Sequence, residues 1–245
     1  MKKSEINQDT AVAKNHTLIG NNSTNQMNRE QFFLGQPWLV EERDACGVGF
    51  IADRDGGCSH KLIQQALKAL GCMEHRGGCS ADRDSGDGAG IMTGLPDKLL
   101  SSWFAENQIA MPDKEAWGVG MVFLPQSEAE AVKCKKFVET AVEAEKLTVL
   151  GWRIVPVDPE VLGIQARENQ PRIEQIIVSS PEKLTGDALD RKLYIARSRV
   201  GKELSDDFYI CSFSCRTIVY KGMVRSVVLG EFYRDLSNPD YQSSF

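Results

Sequence analysis

The sequence predicts an α+β domain, drawn either as two stacked sheets flanked by helices or as a wound α/β sheet. Three observations lead there. From about residue 46 onward, short apolar strand candidates alternate with longer segments whose apolar residues recur at helical spacing. No regular strand–helix–strand repeat is present, so both layered arrangements stay open. Ahead of this region, Met1 to about Gly35 is rich in Asn, Gln, Ser and Thr with few aromatics. Such a segment buries too little apolar surface to offset its ordering entropy, and disorder is expected.

The elements follow in order. Gln36-Pro37-Trp38-Leu39-Val40 is a candidate to dock on the domain, and Glu41-Glu42-Arg43-Asp44 is a charged approach to it. Cys46–Ala52 is small and apolar throughout, which predicts a buried strand turned by Gly56-Gly57. Ser59 is placed to cap a helix carrying Leu62, Ile63, Ala66, Leu67, Leu70 and Met73, ending near Gly77-Gly78. Asp84 to Gly90 is a glycine-rich loop, followed by a strand from Ile91 to Leu95 and a helix begun by Pro96. Trp117–Leu124 reads as a strand ended by Pro125. Ser127 then caps an amphipathic helix to about Lys146, with Ala131, Cys134, Phe137, Val138, Ala141 and Val142 on its buried side.

Strands are predicted for Val149–Val157 and Ile173–Val178, and a helix for Leu189–Leu204. Phe208–Phe213 and Thr217–Tyr220 read as paired strands joined by a tight turn, and a last helix runs from Val224 through Phe232. The sequence stops at Tyr241-Gln242-Ser243-Ser244-Phe245 without a capping helix or polar tail, so a fragment is expected.

Composition narrows the class. A net charge of −5 and 42% hydrophobic residues over 245 positions belong to a globular protein. Residues after position 45 number about 200, enough for one domain burying roughly 70% of its unfolded surface. The mild acidity supplies no large basic surface, which argues against nucleic acid as a partner. No apolar run nears the roughly 20 residues needed to cross a bilayer, so no membrane partner is expected. Met1 to Asp9 has neither the apolar core of a secretory signal nor the Arg/Ser-rich, acid-poor character of a transit peptide, which leaves a cytoplasmic location as the default. The cysteines are Cys46, Cys58, Cys72, Cys79, Cys134, Cys211 and Cys215; an odd number without an export signal argues for reduced thiols. Their spacings match no common zinc or iron–sulfur pattern, and no metal site is expected.

Chemistry centres on Asp44-Ala45-Cys46-Gly47-Val48-Gly49-Phe50. A cysteine at the border of a polar leader and a packed domain is placed to become an N-terminal nucleophile. Cutting the Ala45–Cys46 bond frees an α-amine of pKa about 8, able to take the thiol proton near neutral pH. While that bond is intact the nitrogen is an amide and cannot act as a base, so an uncut precursor is expected to be inactive. Gly47 and Gly49 remove side chains beside the line of attack. On residue type alone, a small cysteine buried in a core strand is the commoner reading.

His75-Arg76-Gly77-Gly78 follows the first predicted helix. Arg76 has the fork to hold a carboxylate or brace active-site backbone, against a plain surface arginine favoured by the helix dipole. His75 is a rival base, made unnecessary by an N-terminal amine. The Asp84–Gly90 loop lacks the Gly-Lys-Ser/Thr ending of a phosphate loop, and its aspartates repel phosphate. A tight active-site loop or a plain turn fits better.

Cys46-Gly47-Val48-Gly49-Phe50, Gly71-Cys72-Met73-Glu74-His75-Arg76-Gly77-Gly78 and Asp84-Ser85-Gly86-Asp87-Gly88-Ala89-Gly90 together resemble the amino-terminal glutamine amidotransferase domain of the glutamate synthases. The likeness continues through Gly151-Trp152-Arg153, Val161-Leu162-Gly163 and Asp207-Phe208-Tyr209 to Gly230-Glu231-Phe232-Tyr233. The run from Cys211 to Gly222 looks most like the ferredoxin-dependent form of cyanobacteria and plastids, and the leader favours the bacterial version. The resemblance implies a four-layer αββα fold of the N-terminal-nucleophile hydrolase type, incomplete at the C-terminus. It implies a propeptide over residues 1–45 and a partial amidotransferase domain over 46–245. Cys46 corresponds to the nucleophile, with Gly47 and Arg76 as active-site support. Glutamine is the implied substrate, and ammonia released from it aminates 2-oxoglutarate in a later, ferredoxin-driven part. FMN and an iron–sulfur cluster belong to that part.

One departure stands out. The family's Arg-Phe-Ser-Thr segment, whose arginine holds the substrate carboxylate, and its Asn-Gly oxyanion pair do not occur in the sequence. Oxyanion donors contribute about 3 kcal/mol to lowering the barrier, so this stretch alone is expected to be inactive. Two alternatives are weighed: another class II amidotransferase, such as one feeding purine or amino-sugar synthesis, and a non-catalytic binding or regulatory module of the same fold.

Overall fold

The computed structural model describes residues 47–74, 85–200 and 207–245. The chain divides at Asp44–Ala45 into two units, and every described residue lies in the second. Expectations about the leader, Gln36–Val40, Cys46, His75, Arg76, Gly77-Gly78, Cys79 and Asp84 lie outside the described residues.

In chain order the elements are α1 (His60–Cys72), β1 (Ala89–Gly94), α2 (Asp97–Glu106), β2 (Trp117–Leu124), α3 (Glu128–Ala144), β3 (Thr148–Ile154), α4 (Ile164–Glu168), β4 (Arg172–Ser179), α5 (Gly186–Val200), β5 (Tyr209–Ser214), β6 (Thr217–Gly222) and α6 (Leu229–Phe232). Short 3-10 turns lie at Pro159–Val161 and Arg234–Ser237. The strands form two antiparallel sheets, one in the order β3-β4-β2-β5 and one pairing β1 with β6. Two stacked sheets therefore replace the wound α/β alternative.

β2 organises the larger sheet because it is apolar on both faces. Trp117, Val119 and Met121 point into the core between the sheets, and Val122 and Leu124 into a second core under α3 and α5. The period of two along a strand separates these sets. Gly120 lies on the helix side, where an added Cβ would sit 2.7 Å from Ile176 Cγ2 and 3.1 Å from Phe213. Glycine there lets neighbouring strands bring large side chains together. Outside the sheet, α3 covers this face with Ala131, Cys134, Val138, Ala141 and Val142, and α5 with Leu189, Leu193, Ala196 and Val200. α1 adds Ile63 to the opposite core, with Leu67 packed against it, completing helix, sheet, sheet, helix. Aliphatic side chains buried this fully each stabilise the fold by about 1.5–3 kcal/mol.

A polar lock joins the sheets inside the first core. Arg153 on β3 donates to Asp235 Oδ2 and Oδ1 at 2.8 and 2.7 Å and to Gln175 Oε1 on β4 at 3.0 Å. Gln175 Nε2 donates to the Tyr220 hydroxyl on β6 at 2.9 Å, and that hydroxyl donates to Asp235 Oδ2 at 2.8 Å. Asp235 is 2% exposed and Gln175 fully buried. Burial pushes the Tyr220 phenol well above its ordinary pKa, so it remains a neutral donor. Burial works against the Arg153 charge, but the Asp235 hydrogen bonds outweigh it and hold the guanidinium above its ordinary value. Tyr233 and Tyr241 meet Tyr220 edge-on, with centroids 5.0 and 5.6 Å away.

Several expectations are corrected. The described part of the predicted strand Cys46–Ala52 has no strand pairing, and Val48 and Phe50 are 88% and 82% exposed. Small apolar residues make a buried strand only where a neighbour offers a hydrogen-bonding ladder, and both described sheets pair without this segment. Ser59 caps α1 as expected, accepting from Leu62 N at 3.3 Å, but the helix ends at Cys72, before Gly77-Gly78. Ser127 occupies the cap of α3 without a side-chain cap bond, and Phe137 is 45% exposed. The segment Val224 to Phe232 is helical only over Leu229–Phe232.

β5 and β6 do not pair with each other. β5 pairs with β2 in one sheet and β6 with β1 in the other, so the turn between them crosses the sandwich. A bulge in β5 opposite Met121/Val122 turns Cys211 toward the inter-sheet core, with Ile210 and Phe213 toward the helices. Asp190 on α5 anchors the crossing by accepting from Ser214 Oγ, Cys215 N and Arg216 Nε at 3.0, 2.8 and 2.8 Å.

Candidate active site

A cavity of about 750 Å³ opens where the end of α1, the glycine loop before β1, and the corner after β6 converge. Gly47, covalently next to Cys46, is part of its wall. The cavity is floored by apolar groups, among them Leu70, Ile91, Phe123 and Val219, and carries charge at Glu74, Asp87, Lys221 and Arg225. A second hollow of about 500 Å³ shares the wall formed by Phe123 and residues 221–224.

The wall is built by close backbone contact. An added Cβ on Gly86 would lie 2.7 Å from Val224 carbonyl atoms and Arg225 N, so only glycine fits there without a backbone shift. β1 then pairs with β6 in the register Ala89↔Gly222 to Gly94↔Thr217. Ser85, 3% exposed, accepts from Ala166 N at 3.2 Å and ties the loop to α4. The glycine-rich loop predicted over Asp84–Gly90 is thus, in its described part, a cavity wall.

Three of the charged groups on the wall, Glu74, Lys221 and Arg225, have side-chain partners. Arg225 Nε and Nη2 meet Glu74 Oε1 at 2.7 and 2.6 Å. Lys221 Nζ donates to the Tyr209 hydroxyl at 3.0 Å and lies 4.5 Å from that ring's centroid. Of the five described cysteines none lines the cavity. Burial raises the Cys211 thiol to about 11 and the Cys215 thiol, also facing Asp190, to about 12, which removes both as nucleophiles near neutral pH. Among the described residues no group of three or more His, Cys, Asp or Glu converges to hold a metal ion.

Of the predicted site residues, Gly47 is found on the cavity wall, whereas Cys46, Arg76 and the rival base His75 lie outside the described residues. Glu74, Lys221 and Arg225 were not singled out from sequence. Lys221 lies inside the Cys211–Gly222 run on which the resemblance leaned and Arg225 three positions beyond it, but neither carries a pattern of its own.

A four-layer antiparallel sandwich with this cavity beside residue 47 defines a class. Residues 46–245 match the family model for class-II glutamine amidotransferases, and the chain belongs to that family. Among particular proteins, it is 66% identical over 224 residues to ferredoxin-dependent glutamate synthase 2 of Synechocystis sp., covering 91% of this chain and 14% of that protein. It is 49% identical over 214 residues to the ferredoxin-dependent glutamate synthase of Pyropia yezoensis, covering 84% of this chain and 14% of that one. With ferredoxin-dependent glutamate synthase 1 of Arabidopsis thaliana it shares 47% identity over 212 residues, 84% of this chain and 13% of that protein. The chain thus spans about one-seventh of the length of these relatives. No described helix is long and apolar enough to cross a membrane.

Proposed function

We propose that the chain is the glutaminase portion of a ferredoxin-dependent glutamate synthase, acting in the cytoplasm. The observation that carries this reading is that the family match begins at Cys46, whose neighbour Gly47 lines the cavity. Residues 1–45 are read as a propeptide and 46–245 as the amidotransferase domain. Removal of the propeptide makes the Cys46 nitrogen an amine, which takes the thiol proton. The sulfur then adds to the side-chain amide carbon of glutamine. Collapse of the tetrahedral adduct passes the proton to the leaving nitrogen, releasing ammonia and leaving a glutamyl thioester. Water adds to the thioester, and glutamate departs as the thiol re-forms. Gly47 keeps the approach to the sulfur open, and Arg76 holds a carboxylate or braces the active-site backbone.

In the parent enzyme the ammonia aminates 2-oxoglutarate, with electrons from ferredoxin. FMN and an iron–sulfur cluster supply that redox chemistry when bound. The described cysteines do not fit a cluster, because Cys58 and Cys72 are exposed, Cys134, Cys211 and Cys215 are buried, and no three of the described His, Cys, Asp or Glu converge. Both groups are assigned to later parts of the parent enzyme.

The test is amide hydrolysis in that parent enzyme. Cys46→Ala is expected to abolish glutamine-supported glutamate formation while formation from added ammonium persists. Retained glutamine hydrolysis in Cys46→Ala contradicts the reading.

A further inference from the structure

The second hollow, of about 500 Å³, lies beside α4 and against the corner after β6, and glutamine hydrolysis makes no use of it. Its floor is apolar: Leu162, Ile173, Val224 and Phe232 are all buried and carry no polar side-chain atom. Its rim is polar and held in place. Arg167 on α4 donates to Glu160 Oε2 and O at 3.2 and 3.0 Å, and Ala166 N donates to the buried Ser85 Oγ at 3.2 Å. Gln126 Nε2 donates to Gln170 O at 2.6 Å. A preformed apolar hollow with a few fixed polar groups at its mouth is the usual form of a small-molecule site, and such sites span about 300–1,000 Å³.

Two charged residues line the hollow, Lys221 and Glu168. The Lys221 ammonium is taken up by Tyr209, 3.0 Å from its hydroxyl and 4.5 Å from its ring centroid, and Tyr209 lines the first cavity and not the second. That contact turns the lysine charge toward the first cavity and leaves its apolar stem to the second. Glu168 has no ion pair among the described residues, because the nearby cations are engaged: Arg167 with Glu160, and Arg172 with Glu128 and Glu174. An uncompensated carboxylate thus stands at the mouth of an apolar floor. We propose that this hollow binds a small amine with an aromatic or aliphatic body. The body packs on Leu162, Ile173 and Phe232, and the ammonium meets Glu168. An acid of the same shape meets the repulsion of Glu168 instead. The site shares Phe123 and residues 221–224 with the cavity beside Gly47, yet it stands whether or not that cavity hydrolyses glutamine.

The test titrates tryptamine into the parent enzyme by isothermal calorimetry. A dissociation constant on the order of 1 mM is expected for so small a ligand. Indole-3-propionate, the acid of similar shape, is expected to bind at least about tenfold more weakly. Glu168→Gln is expected to weaken tryptamine about fivefold. Ala166→Phe places a ring in the hollow and is expected to abolish binding; its circular dichroism is compared with wild type, and Glu168→Gln, at an exposed position, decides the matter if Ala166→Phe does not fold. Asp87→Asn, on the wall of the first cavity, is expected to leave tryptamine binding unchanged. Absence of tryptamine binding up to about 10 mM overturns the proposal. So do equal affinities for the amine and the acid, or an unchanged affinity in Glu168→Gln. A loss in Asp87→Asn matching that in Glu168→Gln puts the amine in the first cavity and overturns it as well.

Discussion

Asp235→Ala probes the lock between the two sheets. The carboxylate takes two hydrogen bonds from Arg153 and one from Tyr220, all between 2.7 and 2.8 Å, and is 2% exposed. Its removal leaves a guanidinium 13% exposed, whose side-chain bond to Gln175 Oε1 is retained, and a phenol without its acceptor. Stranding one member of a buried pair costs about 3–5 kcal/mol, and an orphaned neutral donor about 1 kcal/mol or more. The surviving Gln175 bond and partial solvent access favour the lower end, about 3–4 kcal/mol. For a domain of this size that lowers Tm by roughly 10 °C. Urea unfolding monitored by tryptophan fluorescence measures it, with an unchanged m-value expected. Arg153→Leu/Asp235→Leu removes both charges and is expected to cost less than Asp235→Ala alone. The reasoning is refuted if the single variant loses under about 1 kcal/mol, or if the double variant is the less stable of the two.

Three further outcomes are expected. Gly86→Ala forces a Cβ against the Val224–Arg225 backbone and is expected to cost about 1–3 kcal/mol, whereas Gly49→Ala meets, among the described residues, only Met73 Cε at 3.6 Å and is expected to be neutral in the same melts. Iodoacetamide at pH 8 is expected to modify Cys58 and Cys72 in the native protein and to spare Cys134, Cys211 and Cys215 until urea is added, as read by peptide mass mapping. Burial raises the Asp190 carboxyl, but hydrogen bonds from Cys215, Ser214 and Arg216 outweigh it and hold its pKa below the ordinary value. A depressed folded pKa stabilises above the unfolded value of about 3.9 and loses that contribution as pH falls through the folded one. Asp190→Asn is thus expected to be less stable by about 1–2 kcal/mol at pH 7, with the gap narrowing from about pH 4 downward. A gap independent of pH contradicts the assignment.

What the sequence disclosed was mostly local. Trp117–Leu124 was legible as a strand because eight apolar or glycine residues end at Pro125, and α3 because Ala131, Cys134, Val138 and Ala141 repeat at helical spacing. Pairing was less legible. A tight turn between Ser214 and Thr217 suggests a hairpin, yet the bulge in β5 and the Asp190 anchor send the two strands to different sheets. The Arg153–Asp235–Tyr220 lock left no pattern, because its members lie 82 and 15 positions apart and only the folded sandwich joins them. Val48 and Phe50 misled through composition, since apolar residues do not supply their own strand partner. At the cavity, the Gly47 neighbourhood was visible from the cysteine–glycine pattern. Glu74 and Arg225 were hidden for the same reason as the lock, being 151 positions apart.

The most direct measurement pairs intact mass with glutaminase rate on the parent enzyme, sampled while its leader is being removed. Hydrolysis is expected to rise in step with the species whose first residue is Cys46, and a glutamine-like diazoketone to add only to that species. Full-rate hydrolysis by protein still carrying residues 1–45 contradicts a nucleophile that depends on its own liberated amine.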